Sequence, residues 1–104
     1  MGGEMLLKIY LGESARHHGE PLYHTIVKRA KESGMSGATA LRGIEGFGAG
    51  STIHSTRIVR LSENLPIVIE IADTEEKILA FLDTLKEILP KGTRITLQKI
   101  EIVT

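Results

Sequence analysis

Apolar and polar residues alternate from Met5 to Leu11. Met5, Leu7, Ile9 and Leu11 fall on one side, and Leu6, Lys8 and Tyr10 on the other. The second set is only partly polar, which predicts a central strand with both faces covered. Gly12 to Glu20 is polar and predicts a loop. The period then becomes helical, with Leu22, Tyr23, Ile26, Val27 and Ala30 on one stripe and Lys28, Arg29, Lys31 and Glu32 largely off it. Pro21 suits the first turn of this helix and Gly34 the position just past its end, so a helix is predicted over 21–33.

A second strand is predicted over 37–47. Gly43 and Gly46 inside it mark a bulge or a close approach of backbones. After Gly48 the chain runs through 16 mostly polar residues before the next apolar run, Leu65 to Ile71. Arg57 to Leu61 is a candidate to extend a hairpin with the second strand. Ile67 to Ile71 is a β-branched strand with Pro66 at its start, where no ladder bond is lost. Asp73-Thr74-Glu75-Glu76 has capping-box spacing, with Asp73 as N-cap and Glu76 at the third helical position. Ile78, Leu79, Phe81, Leu82, Leu85, Ile88 and Leu89 form the apolar stripe of the helix that follows, and Pro90 and Gly92 end it. The last strand is predicted over 93–103. Ile95 and Leu97 are out of phase with Ile100 and Ile102, which predicts a bulge or a change of neighbours.

The order β-α-β-β-α-β predicts an α+β chain of the ferredoxin-like, split βαβ type. Such a fold has an antiparallel sheet with two helices on one face. A single domain over 1–104 accounts for the length. The helices cover one face only, and Leu6 and Tyr10 on the other are awkward in water. An oligomer closing over that face is therefore expected, with strand near 53–61 or 98–103 pairing across subunits.

Composition narrows the function. Thirteen basic residues balance 13 acidic ones, unlike the basic footprint of a nucleic-acid binder. The absence of cysteine excludes disulfides, thiolate metal sites and thiol catalysis. No apolar run approaches membrane-spanning length, and the N-terminus lacks a signal-peptide pattern, so a cytoplasmic location is expected. There is no Gly-x-Ser-x-Gly elbow and no evident acid/base pair, so an enzyme is not expected. His17, His18, His24 and His54 would need three of their number to converge to hold a metal; the adjacent pair lacks the i, i+4 spacing of a helical metal site. As plain residues, Gly46-Phe47-Gly48 is a structural turn and Ser14 to Gly19 a solvated loop. A long loop between two strands of a chain this short, however, tends to carry function.

The stretches Gly12-Glu13-Ser14-Ala15-Arg16, Gly19-x-Pro21-Leu22-Tyr23, Gly37-Ala38-Thr39, Arg42 to Gly48 and Leu65-Pro66 resemble a PII-like family of conserved bacterial and archaeal proteins of undefined function. That family is related to the PII (nitrogen regulatory) signal-transduction proteins. The resemblance implies a homotrimer with sheets facing inward and an effector, ATP, ADP or AMP, in clefts between subunits. It also implies a long T-loop, here about 48–64, that contacts a partner protein. The ligand-binding residues it implies are Arg16, Gly37, Thr39, Arg42, Gly46, Phe47, Gly48 and Lys91, with no catalytic or metal-binding residue. Glycine amides can approach an anion or a ring, and Thr39 can hydrogen-bond a base edge or ribose. Arg16, just ahead of a helix start, is the foremost candidate for a phosphate or carboxylate contact.

The chain also departs from the PII pattern. The second glycine-rich phosphate loop is reduced to Leu89-Pro90-Lys91-Gly92-Thr93. The Lys usual after Leu-Pro is Ile67, the C-terminal Arg pair is missing, and no Tyr lies between Phe47 and Leu65. Arg16, Arg42, Arg57, Arg60 and Lys91 are the candidate replacement cations. The alternatives are a metal-ion-binding trimer similar to the copper-tolerance CutA proteins, which share this fold, and a structural interaction module. Acylphosphatases and RNA-binding RRM domains share the topology, but their arginine loop and aromatic stripe are not recognisable.

Overall fold

The computed structural model describes residues 3–48, 54–55 and 64–104. Its main elements are β1 (Glu4–Gly12), α1 (Leu22–Glu32), β4 (Thr39–Arg42), β7 (Pro66–Thr74), α2 (Glu75–Leu85) and β8 (Arg94–Ile100). Short strand pairs lie between them: β2 (Arg16–His17) with β3 (Glu20–Pro21), and β5 (Glu45–Gly46) with β6 (His54–Ser55). The four long strands form one antiparallel sheet in the order β4-β7-β1-β8. This is the expected ferredoxin-like fold, with β1 as a central strand.

Register sorts the side chains. Leu7 faces Ile71, Ile9 faces Ile69 and Leu11 faces Ile67, so these six share the helix-covered side. They meet Leu22, Ile26 and Ala30 of α1 and Ile78, Phe81 and Leu85 of α2 in one core. Fully burying a Leu or Ile side chain contributes roughly 1.5–3 kcal/mol, which makes this layer the main source of stability. On the other side, Leu6 faces Ala72, Tyr10 faces Val68 and Leu41 also faces Val68. Tyr10 and Leu41 are exposed there, and a Lys8–Glu70 ion pair at 4.0 Å crosses the same face.

Helix ends follow local chemistry. After α1, Gly34 adopts φ of 80°. The Gly34 amide donates to the Lys31 carbonyl and the Met35 amide to the Ala30 carbonyl, a Schellman closure that turns Met35 onto the core. At the other end Pro21 is the N-cap, one residue outside the helix rather than in its first turn, because it remains extended and pairs with Arg16.

Several boundaries differ from the sequence reading. Thr74, not Asp73, caps α2, its hydroxyl accepting from the Lys77 amide at 3.3 Å. Asp73 is the last buried residue of β7 and serves another purpose. It accepts the Ser36 amide at 2.9 Å and the Thr74 amide at 2.7 Å, fastening the α1–β4 connection to the end of β7. α2 ends at Leu85, before Ile88 and Leu89, which pack on the core from a turn. The segment 12–20 is not wholly loop; His18 (φ 51°) and Gly19 (φ 81°) form a tight turn that pairs β2 with β3. The strand predicted over 37–47 is divided into β4 and β5. β8 pairs with β1 without a bulge and stops at Ile100, so the phase slip marks the strand's end. The pairing expected for Arg57 to Leu61 lies outside the described residues; the strand that meets β5 is His54–Ser55.

Burial by itself would raise the Asp73 carboxyl. The Ser36 and Thr74 amides and the Lys77 ammonium outweigh it and hold the group below the usual carboxylate range. With the folded value below the unfolded one, its stabilisation is complete above about pH 4 and is lost as pH falls through the folded value. Asp73→Ala is therefore expected to lower stability by about 1–3 kcal/mol near neutral pH. In urea titrations its deficit against wild type should narrow as pH falls below about 4 and through the lowered folded value.

Candidate functional site

The returning end of the long loop is fastened to the segment after β1. The Glu13 amide donates to the Leu65 carbonyl at 2.8 Å. Asn64 Oδ1 accepts both the Ser14 amide at 3.1 Å and the Ser14 hydroxyl at 2.8 Å. The outgoing end is fastened to β7, the Gly43 amide donating to the Pro66 carbonyl at 2.7 Å. Pro66 lacks an amide, so it opens β7 at no cost to the ladder.

Glycine is needed where these pieces meet. A Cβ on Gly43 would lie 2.9 Å from Pro66 Cγ and one on Gly46 3.1 Å from the same atom. This is the close backbone approach that two glycines in a strand predict. A Cβ on Gly12 would lie 2.5 Å from Asn64 Oδ1. Around Gly37 and Gly48 no described residue would meet an added Cβ.

These contacts border a cleft of about 980 Å³. Gly46, Phe47 and Gly48 form one wall. Tyr10, Gly12, Asn64 and Pro66 form the floor. Pro90 to Thr93, with Arg94 and Thr96 of β8, form the other wall. In that second wall Gly92 takes φ of 85°, and the Thr93 amide closes a turn onto the Pro90 carbonyl at 3.1 Å. Among the described residues, the lining carries Lys91 and Arg94 as cations and no carboxylate. Phe47 offers an aromatic ring that is 70% exposed in the single chain. An amphipathic cleft with two cations, glycine amides and an exposed ring suits an anion joined to a planar group.

The cleft therefore brings together Gly46, Phe47, Gly48 and Lys91 from the predicted set. It does not bring in Arg16, Gly37, Thr39 or Arg42. Thr39 faces Glu70 on the open side of the sheet, farther along β7, and Gly37 lies in the connection before β4. Arg42 faces Ile67, on the helix side, and its guanidinium pairs with Glu13. Arg16 is exposed on β2. Beside that hairpin, a hydrogen bond from Thr25 and one from Lys28 hold the Glu20 carboxyl below its ordinary range, so the start of α1 already has an anion from the chain itself. His17 and His18 stack with ring centroids 4.2 Å apart, and no three His, Asp or Glu side chains converge on a metal position among the described residues.

Tyr10, Asn64, Arg94 and Thr96 were missed by reasoning from sequence. One signal was present: Tyr10 is out of place on the polar side of β1, and Arg94 is its cross-strand partner in β8.

A steric prediction follows. Gly43→Ala should destabilise by about 1–3 kcal/mol, since Pro66 cannot yield without moving β7. Gly48→Ala should stay within about 0.5 kcal/mol of wild type. Thermal unfolding of the two variants in parallel checks both.

The chain belongs to the family DUF190, described as Uncharacterized ACR, whose model matches residues 4–102. It is similar to a UPF0166 protein of Aquifex aeolicus (strain VF5), 39% identical over 98 residues that cover 94% of this chain and 91% of that protein. The fold is similar to that of the divalent ion tolerance protein CutA1 from Ehrlichia chaffeensis, with a TM-score of 0.68 and 14% identity, covering 100% of this chain and 87% of that one. It is also similar to CPII, a nitrogen regulatory PII-like protein from Thiomonas intermedia K12, in a structure bound to ADP, AMP and bicarbonate. There the TM-score is 0.66 and the identity 15%, covering 97% of this chain and 93% of that one. At such identities the likeness concerns the fold, which is PII-like as the sequence motifs implied.

Proposed function

We propose that this DUF190 protein is a PII-like regulator, not an enzyme, that takes an adenine nucleotide as effector in the cleft between Phe47 and Arg94. The observation that carries the reading is the lining itself: Lys91 and Arg94, with no carboxylate among the described lining residues, opposite Gly46-Phe47-Gly48. The base would lie against Phe47, since base–aromatic stacking is worth about 1–3 kcal/mol. The phosphate would meet Lys91 and Arg94. The likeness to a PII-like protein bound to ADP and AMP supports this choice of ligand.

The mode of signalling follows from the fastenings. The cleft wall at 46–48 leads directly into the 48–64 loop, and the floor residue Asn64 is where the chain returns. A ligand bound there would bias the loop's two ends together, and the loop would then contact a partner protein. Ligand-dependent ordering of a segment is a general route for switching. Three copies would bury the open face that carries Leu6, Tyr10, Leu41 and Val68, which calls for a homotrimer with the clefts near its subunit boundaries.

Two measurements test this. In a thermal-shift screen, a saturating excess of ATP, ADP or AMP should raise the melting temperature by about 10–20 °C. Ligand at 100 times its dissociation constant adds about 2.7 kcal/mol by mass action, and a domain of this size gains about 4–8 °C per kcal/mol. The rise should fall by about half or more in Lys91→Ala. No response to any nucleotide would overturn the reading, and a response to divalent metal ions alone would favour a metal-binding trimer. Separately, sedimentation equilibrium at micromolar concentration should return three times the 11.4 kDa chain mass. A monomer would remove the trimer from the reading.

A further inference from the structure

We infer that the cleft is matched to a single phosphate group, so that among adenine nucleotides the monophosphate binds in preference to the triphosphate. This rests on the nucleotide reading above and concerns which member of that class the site selects.

The inference comes from counting charges and donors in the second wall. Lys91 and Arg94 are the cations among the described lining residues, and neither has an ion-pair partner among the described residues. A phosphomonoester carries up to about two negative charges at neutral pH, which one Lys and one Arg balance. Each further phosphoryl group brings more negative charge. Among the described residues, two cations near the cleft are already engaged. Arg42 is held by Glu13, beside Gly12 of the cleft floor, and Lys8 is paired with Glu70 across the open face.

Backbone donors are equally few. A phosphate cradle is built from successive amides of a glycine-rich loop. Here the segment is the four-residue turn Pro90 to Thr93. Pro90 has no amide, and the Thr93 amide and hydroxyl both donate to the Pro90 carbonyl. That leaves the Lys91 and Gly92 amides beside the two side chains, enough to surround one phosphate. A second or third phosphate would find no further donor among the described residues of this wall, and losing water there without replacement disfavours its charged form.

Titration calorimetry of the full chain with AMP, ADP and ATP tests this, in magnesium-free buffer at matched ionic strength. The expected order is AMP, then ADP, then ATP, with about tenfold or more between the first and last. Lys91→Gln and Arg94→Gln should each weaken AMP about tenfold or more, while Lys91→Arg should retain most of the affinity. ATP binding as tightly as AMP, or more tightly, would overturn the inference and leave the nucleotide reading standing. An unchanged preference for AMP in both Gln variants would overturn the charge-matching account. Failure of all three nucleotides to bind would overturn the inference and the nucleotide reading together.

Discussion

The pairing of β1 with β7 is the interaction on which the rest of the molecule depends. It runs unbroken from Glu4 opposite Thr74 to Gly12 opposite Pro66. A slip of one residue would carry either Leu7 and Ile9 or Ile69 and Ile71 from the core to the open face, so burial enforces this register strongly. Once it is set, β8 adds to one side of β1 and β4 to one side of β7, and both helices have a single apolar surface to cover. The same register determines what lies at its end. Gly12 and Pro66 meet there, and the cleft opens around that pair.

At this end, sterics and hydrogen bonding serve one purpose. Pro66 starts β7 without a wasted donor, and its ring fills the space that Gly43 and Gly46 leave open. Its carbonyl takes the Gly43 amide, and the neighbouring Leu65 carbonyl takes the Glu13 amide. Both ends of the 48–64 segment are thereby joined to rigid strands within a few residues of the cleft. The backbone that borders the cleft is therefore well held on both sides.

Among the described residues, two sets of cations stand out by their surroundings. Lys8, Lys28, Arg42, Lys77 and Lys86 each sit within reach of a carboxylate. These exposed pairs are worth little to stability, but they withdraw charge from the surface around them. Lys91 and Arg94 stand apart from carboxylates, in a concave surface. An overall balance of 13 basic and 13 acidic residues therefore conceals a local excess of positive charge. Balanced net charge is thus compatible with a locally cationic site for a small anion.

The periodic part of the fold was legible in the sequence. The two-residue period of Met5–Leu11 and Leu65–Ile71, the helical stripes through Ile26 and Ile78, and Gly34 past the first helix all translate directly into burial or backbone geometry. Gly43 and Gly46 announced a close approach, and the motifs around them pointed to a PII-like fold. What the sequence left open was decided by contacts between residues far apart in the chain. Asp73 has the spacing of a helix cap, yet it is bound by Ser36, 37 positions away, and Thr74 takes the cap. Arg42 is a plausible anion contact until Glu13 is found beside it, and Arg94 is an ordinary strand residue until its register with Tyr10 brings it to the cleft. Local propensity determines which element a residue joins. Only the tertiary structure decides which charges are neutralised by a neighbour and which remain available to a ligand, because that depends on pairings sequence spacing does not specify.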